Sequence, residues 1–401
     1  MVNIQVVLGL GFGDEGKGTM VDWLARQATT TEPPLIVRWN GGPQAAHHVV
    51  TDDGRTHCFA QLGSASYVSG ARTHLAADMA VDLYALHAEA AVFGDDVIRR
   101  VTVDPRCVLV TPWHAIAGRV REALRGADRH GSTGRGVAEA KLGRHLVAGD
   151  LARGFADQLR ALRDALLATA AARIGETACD EARELVARGG EPELFDAFLD
   201  AAHRPLAITD QPPPAAHVIL ESAQGALLDR DHGFFPHVTP SRITRRAAEL
   251  AAHGLGLAGP LEVWGVLRAY HTRHGEGPFP SENPALAARL PELHNREDGP
   301  AGRFRVGWFD AVLARHALAF AGPIDRLAVT CFDRVAGLAN RAIIDAWRDA
   351  GPIDTAHATT AVPLVRLVDS LPAAIETALG RRIDVQSWGP TAGAKRTRPS
   401  H

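Results

Sequence analysis

The stretch Val6-Val7-Leu8-Gly9-Leu10-Gly11-Phe12-Gly13-Asp14-Glu15-Gly16-Lys17-Gly18 narrows the folds open to this chain more than any other. Before it, Val2 to Leu8 is a short apolar, β-branched run, the pattern of a buried parallel strand. After it, Met20, Val21, Trp23, Leu24 and Ala25 are distributed as in a helix. Strand, glycine loop and helix form the setting in which Gly11, Gly16 and Lys17, spaced G-x-x-x-x-G-K, can cradle phosphate. The glycines let backbone N–H groups approach an anion, the helix N-terminus adds partial positive charge, and Lys17 would sit on the phosphates. A glycine-rich turn with an incidental lysine is the plainer alternative, and the flanking elements weigh against it.

One position departs from the usual loop. Gly18 stands where a Ser or Thr hydroxyl would meet Mg²⁺. Asp14 lies inside the loop instead, and an acid there is unfavourable beside phosphate unless a cation or a catalytic role offsets it.

Composition sets the outer bounds. With 401 residues, 46% hydrophobic and 22% charged, the chain can bury a large core as one big α/β domain or two smaller ones. A net charge of −3 indicates no broad cationic surface for nucleic acid, so basic residues that matter are placed locally. The N-terminus lacks a basic segment followed by an apolar core and cleavage site, and no apolar run approaches ~18 residues, so a cytoplasmic protein without a membrane partner is expected. Cys58, Cys107, Cys179 and Cys331 are scattered without a C-x-x-C pair and read as unpaired thiols. The histidines show no metal-ligand spacing.

Further loops follow strand-like runs, and ligands of open α/β sheets gather at the carboxyl ends of strands. Leu35 to Trp39 reads as a strand leading to Asn40-Gly41-Gly42-Pro43-Gln44-Ala45-Ala46-His47-His48, which makes His47 and His48 candidates. Val218 to Leu220 leads to Glu221 and Gln224, Leu261 to Leu267 to a loop beginning at His271, and Leu327 to Thr330 to Asp333. Gly131-Ser132-Thr133-Gly134-Arg135-Gly136 suits an anion site or a flexible polar loop equally. Ala76 to Ala91 reads as a helix and Val108 to Val110 as a strand. Leu151 to Arg188 and Glu193 to Ala202 read as amphipathic scaffold helices, Gln211 to Pro214 as a stiff linker, and the basic end Lys395 to His401 as frayed.

Taken together, these blocks resemble the adenylosuccinate synthetase family. Gly13 to Gly18 is similar to its G-D-E-G-K-G loop, Gly41 to His47 to G-G-x-N-A-G-H, and Ser132 to Gly136 to T-T-G-R-G. Glu221 to Asp229 is similar to E-G-A-Q-G-x-x-L-D, and Pro236 to Thr239 to the proline-to-threonine stretch after it. Thr272 to Glu282 is similar to T-R-x-G-x-G-P-F-P-T-E, and Gly302 to Asp310 to the arginine loop ending in G-W-x-D. The blocks keep the family order across most of the chain.

The resemblance implies an α/β fold: a large, mostly parallel sheet with flanking helices and long functional loops, P-loop-NTPase-like, over residues 1–401 as one domain with a helical subregion near 150–205. It implies a ligase that phosphorylates O6 of an IMP-like 6-oxopurine nucleotide with GTP, or ATP, and lets the amine of L-aspartate displace phosphate. Asp14 would take the N1 proton and, with Ala46, ligate Mg²⁺, while His47 would act as acid, with Lys17 and Gln224 completing the catalytic set. Gly13, Glu15, Gly16, Lys17, Gly18, His48, Asp333, Ser387 and Gly389 would bind the triphosphate nucleotide. Gln44, Thr133, Gln224 and Thr239 would bind the purine nucleotide, Arg303 and Arg305 the carboxylates or the nucleotide, and Arg144 would reach across a homodimer interface.

The departures fall on recognition. Pro300-Ala301 replace two threonines, Gln44 and Ala46 replace asparagine and glycine, and Cys331 replaces the lysine of T-K-L-D. The same chemistry on dGMP or a nucleotide analogue, or with another amino acid, is the alternative these changes open. Retained Asp14 favours an IMP-like substrate. A regulatory P-loop switch gains nothing from a base beside its phosphates, and a non-catalytic paralogue has little reason to keep Asp14, Lys17, His47 and Gln224.

Overall fold

Parallel strands whose two faces are both apolar build the centre of the molecule, seen in a computed structural model that describes residues 2–28, 32–94, 96–126, 132–152, 154–175, 177, 179–291, 302–349 and 351–398. The main sheet has ten strands, in the order Lys395–Thr397, Val385–Ser387, Arg326–Thr330, Leu261–Arg268, Asn3–Gly9, His217–Glu221, Leu35–Arg38, Arg72–Leu75, Val101–Val103 and Ala207–Ile208. Every pair is parallel except one edge, Val385–Ser387 with Lys395–Thr397. This is the large, mostly parallel α/β sheet with flanking helices that the sequence implied.

The alternation along the first strand shows how the layers form. Ile4, Val6 and Leu8 face one core with Leu35, Val37, Val218, Leu220 and the helices Arg245–Gly254 and Ala311–Ala321. Val7 faces the other with Ile36, Ile219, Val266 and the Met20, Val21 and Leu24 side of helix Lys17–Arg26. Because the strands run the same way, the residues after Gly9, Arg38, Glu221, Arg268 and Thr330 emerge at one edge. That edge carries the candidate site.

Several boundaries differ from the sequence pattern. The helix expected over Ala76 to Ala91 is confined to Leu83–Ala91, because Asp82 caps it by accepting from Ala85 N, and Ala80–Val81 pairs instead with Val108–Leu109. The run Leu151 to Arg188 divides into Phe155–Ile174 and Asp180–Gly189, with Pro192–His203 following. The basic end is not frayed through Thr397: Lys395–Thr397 pairs antiparallel with Val385–Ser387, and residues 399–401 lie outside the described ones. Among the described residues all four cysteines are free, and no helix is long and apolar enough to cross a membrane.

The helical subregion rests on Trp113, which is fully buried and donates from its indole nitrogen to Gly189 O at 2.8 Å. Phe195 and Phe198 pack around it, their ring centroids 6.0 and 6.2 Å away. Trp113→Ala is expected to lose roughly 3–5 kcal/mol of stability, read as a lowered denaturation midpoint. A midpoint equal to that of the unaltered chain would show that this packing does not hold the helices Asp180–Gly189 and Pro192–His203 in place.

Candidate active site

The phosphate loop is organised by its own acid. Glu15 is buried and turns its carboxylate back into the loop, where Oε1 accepts from Gly11 N at 2.9 Å and Gly13 N at 2.7 Å. Oε2 accepts from Lys17 Nζ at 2.8 Å, and Lys17 also donates to Gly13 O at 2.6 Å. Thr330 Oγ1 donates to Glu15 O at 2.7 Å, tying the loop to a neighbouring strand end. Two backbone amides and an ammonium thus converge on one carboxylate, the donor set that an anionic phosphate would require. Glu15 therefore arranges the cradle, and any phosphate contact from this residue must come from its main chain. The fit around it is tight: a Cβ on Gly225 would lie 2.4 Å from Glu15 Oε1 and 2.2 Å from Gly11 O.

Gly18 acquires a physical reason. A Cβ there would lie 2.9 Å from His47 Cβ and 3.1 Å from His47 C, so the absence of a side chain admits the histidine to the loop. His47 opens the strand His47–Val50, and its Nδ1 pairs with Glu221 Oε1. Glu221 also accepts from Ser64 Oγ and, at 3.0 Å, from Ser64 N. Register places Arg38 directly beside Glu221 on the adjoining strand. Burial alone would raise the Glu221 carboxyl, but the charge of Arg38 and the hydrogen bonds from His47 and Ser64 hold it well below the usual range. Burial, with Arg38 next, keeps the His47 ring neutral. The pair is a neutral imidazole whose Nδ1–H donates to a carboxylate, leaving Nε2 for a ligand.

Asp14 sits in the loop, 25% exposed, with Oδ2 3.2 Å from His274 Nε2. Burial would raise its pKa, but the His274 hydrogen bond and the charges of His274, Arg268 and Lys17 outweigh this and lower it. Arg268 Nη1 also donates to Asp14 O at 3.3 Å. An anionic oxygen donor at the phosphate cradle fits Mg²⁺, which is commonly held by one or two carboxylates together with substrate phosphates.

The other predicted residues are placed as follows. Gln224 adopts φ 66, a left-handed backbone uncommon for a residue with a side chain and a form of strain that concentrates at functional sites. The Gln44 side-chain oxygen is buried with no partner among the described residues. Ala46 lies exposed just before His47. His48, next to His47 on the strand, has Nε2 2.8 Å from Thr56 Oγ1 on the opposite hairpin strand. Thr133 is exposed in the loop before helix Val137–Leu142, and Thr239 Oγ1 accepts from Ser241 N at 3.2 Å. Arg144 is exposed, while its carbonyl lies 2.8 Å from His114 Nε2.

Arg303 precedes and Arg305 lies within the strand Phe304–Gly307, which pairs antiparallel with His271–His274. Both reach Glu282: Arg303 Nη2 lies 2.8 Å from its Oε1 and Arg305 Nη1 3.2 Å from its Oε2. The two guanidinium groups thus already share one carboxylate, the chemistry required for an amino-acid substrate. Pro300 and Ala301 lie outside the described residues. Asp333 is exposed at the start of helix Phe332–Ala336, and buried Ser387 Oγ donates to Gly389 O at 2.9 Å.

Sequence reasoning missed His274 as the partner of Asp14 and Ser64 as a support for Glu221. Glu221 was legible as a residue at a strand end, but it faces His47 rather than open space. His274 carried no usable signal, since its meaning depends on an antiparallel ribbon far along the chain.

A family model described as adenylosuccinate synthetase matches residues 6–380. An adenylosuccinate synthetase of Methylococcus capsulatus is 31% identical, covering 96% of this chain and 95% of that protein. The solved, fully ligated adenylosuccinate synthetase from Plasmodium falciparum has a TM-score of 0.80 at 22% identity, covering 99% of this chain and 100% of that one. Succinoaminodeoxyadenylate synthetase of cyanophage S-2L, solved with dGMP and with dATP as energy donor, has a TM-score of 0.61 at 17% identity, covering 100% and 96%. These two structural likenesses bear on the fold.

Gly18→Ser would restore the residue usual in a phosphate loop, yet it is expected to lower turnover about ten- to a hundredfold, because overpacking of roughly 1–3 kcal/mol displaces His47. Steady-state kinetics decides this, and unchanged or raised turnover would contradict the packing argument.

Proposed function

The chain belongs to the adenylosuccinate synthetase family, ligases that form a carbon–nitrogen bond, and from that membership we propose that it converts an IMP-like 6-oxopurine nucleotide and L-aspartate to adenylosuccinate or its analogue, with GTP, or ATP, as phosphoryl donor. The observation that carries the proposal is the pairing of a carboxylate, Asp14, and an imidazole, His47, with one phosphate cradle. Phosphoryl transfer needs positioning and charge compensation more than covalent help from the protein.

In the first step Asp14 accepts the N1 proton, O6 attacks the γ-phosphorus, and the bond from phosphorus to the bridging oxygen breaks. Lys17 and the loop amides bear the charge on the phosphates. His47, oriented by Glu221, presents Nε2 to the transferring group, and the negative charge arriving there favours the protonated ring that burial alone disfavours. In the second step the amine of aspartate attacks C6, the C6–O6 bond breaks, and phosphate leaves with O6 and the proton the amine gives up. Asp14 and the Ala46 carbonyl would hold Mg²⁺, which supplies charge neutralisation for phosphoryl transfer when bound. Gln44, Gln224, Thr133 and Thr239 receive the purine nucleotide, and Arg303 and Arg305 receive the carboxylates after exchanging Glu282 for substrate.

Gly13, Gly16, Gly18 and His48 join Lys17 around the triphosphate, with Asp333, Ser387 and Gly389 at its base. Exposed Arg144 beside exposed Leu142 supports a homodimer in which each subunit completes the other's nucleotide site. The reading takes residues 1–401 as one domain and the cytoplasm as its place of work.

A matrix of IMP, GMP, dGMP and analogues against aspartate and other amino acids, with GTP or ATP and Mg²⁺, tests the proposal through product mass. Phosphate release is expected only when all components are present. Release from triphosphate and Mg²⁺ alone, unchanged by the rest, would exclude the ligase. Asp14→Ala is expected to lose at least about 10²-fold in kcat while GTP binding stays measurable by calorimetry. Near-normal kcat would remove Asp14 as the base.

A further inference from the structure

Lys395 opens the antiparallel edge strand, yet its side chain reaches the phosphate loop's helix. Its Nζ donates to Thr19 Oγ1 at 2.6 Å, to Thr391 O at 2.8 Å and to Gly389 O at 3.3 Å. Thr19 lies in the first turn of helix Lys17–Arg26 and itself donates to Pro390 O at 2.6 Å. Gly389 and Thr391 belong to the turn after Ser387, whose hydroxyl donates to the same Gly389 carbonyl at 2.9 Å. On the far side of this turn, Gly393 N donates to Asp52 Oδ1 at 3.2 Å, in the hairpin turn beyond His47. One ammonium therefore ties two segments together: the helix receiving phosphates at its N-terminus and the turn proposed to seat the base.

The three partners are neutral oxygens, so the lysine charge is not cancelled at contact. We propose that Lys395 is a positioning residue for the nucleoside triphosphate, fixing the Ser387–Pro390 turn against the phosphate-loop helix and adding positive charge where a polyanion binds. The inference rests on the assignment of this edge as the donor-nucleotide site. Asp22 on the same helix, Asp52 on the hairpin turn, and Cys331 and Asp333 after the strand Arg326–Thr330 are the titratable groups near it. Burial pushes the Lys395 ammonium down to about 8, with Cys331, Asp22, Asp333 and Asp52 opposing. Its charge is therefore present at neutral pH and lost as pH rises through that value.

Calorimetric titration of the full chain with GTP and Mg²⁺, and separately with IMP, tests this beside steady-state kinetics. Lys395→Met is expected to weaken GTP about tenfold or more, the effect of losing a charged hydrogen-bond donor, with kcat and IMP affinity nearly unchanged. Lys395→Arg is expected to restore most of the affinity, and wild-type GTP affinity is expected to fall between about pH 7 and pH 9 while that of Lys395→Met stays level. Equal GTP affinity in wild type and Lys395→Met would overturn the inference. So would equal losses of GTP and IMP binding that Lys395→Arg does not repair. If Lys395→Met does not fold, a level wild-type pH profile overturns it and a falling one supports it. A wild-type chain that binds GTP in this Lys395-dependent way but turns over no substrate set would remove the ligase reading and leave this inference standing.

Discussion

The carboxylate of Glu15, enclosed by the loop that supplies it, is the interaction on which the site depends. Two amides, from Gly11 and Gly13, and the Lys17 ammonium point at it. A buried ion pair of this kind contributes little net stability, because desolvation offsets the attraction, but removing either partner strands a charge. Its consequence is geometric. The loop is set before phosphate arrives, and less conformational entropy is lost on binding. The enclosure also dictates neighbours, since Gly225 admits no side chain without striking Glu15 or Gly11.

From that centre the other groups follow by strand register. Glu221 stands beside Arg38 because their strands are parallel neighbours, and that buried cation permits a carboxylate under His47. His47 in turn approaches the loop only because residue 18 is glycine. The position that looked deficient in the sequence is where the imidazole enters. On the other flank, the ribbon of His271–His274 and Phe304–Gly307 carries His274 to Asp14 and brings Arg303 and Arg305 to a shared carboxylate. The partner of Asp14 and the two arginines that share Glu282 thus come from one short antiparallel pair and its immediate flank, separate from the parallel sheet.

How much of this the sequence discloses depends on the range of the contact. The strand, loop and helix around Gly11 to Gly18 are local, and period and glycine spacing reveal them. The parallel sheet follows from strands such as Leu35–Arg38 that are apolar on both faces. The helical pattern from Ala76 shortens to Leu83–Ala91 because Ala80–Val81 takes a strand partner near residue 108, a pairing that periodicity cannot register. His274 meets Asp14, and Lys395 meets Thr19, across most of the chain. At such separations only the assembled sheet decides which side chains meet, so the basic end read as frayed although it closes the sheet edge. The direction of Glu15 was likewise hidden, since the motif fixes the residue and not where its carboxylate points.

In the proposed reaction O6 of the purine nucleotide is the phosphoryl acceptor and the loop carboxylate removes the N1 proton. Carrying out the reaction with nucleotide labelled with ¹⁸O at O6, then weighing the released phosphate, shows whether O6 is transferred. The heavy oxygen is expected to leave C6 and appear in inorganic phosphate, in step with formation of the carbon–nitrogen bond. Unlabelled phosphate, released while the amino acid is joined to the purine, would contradict it.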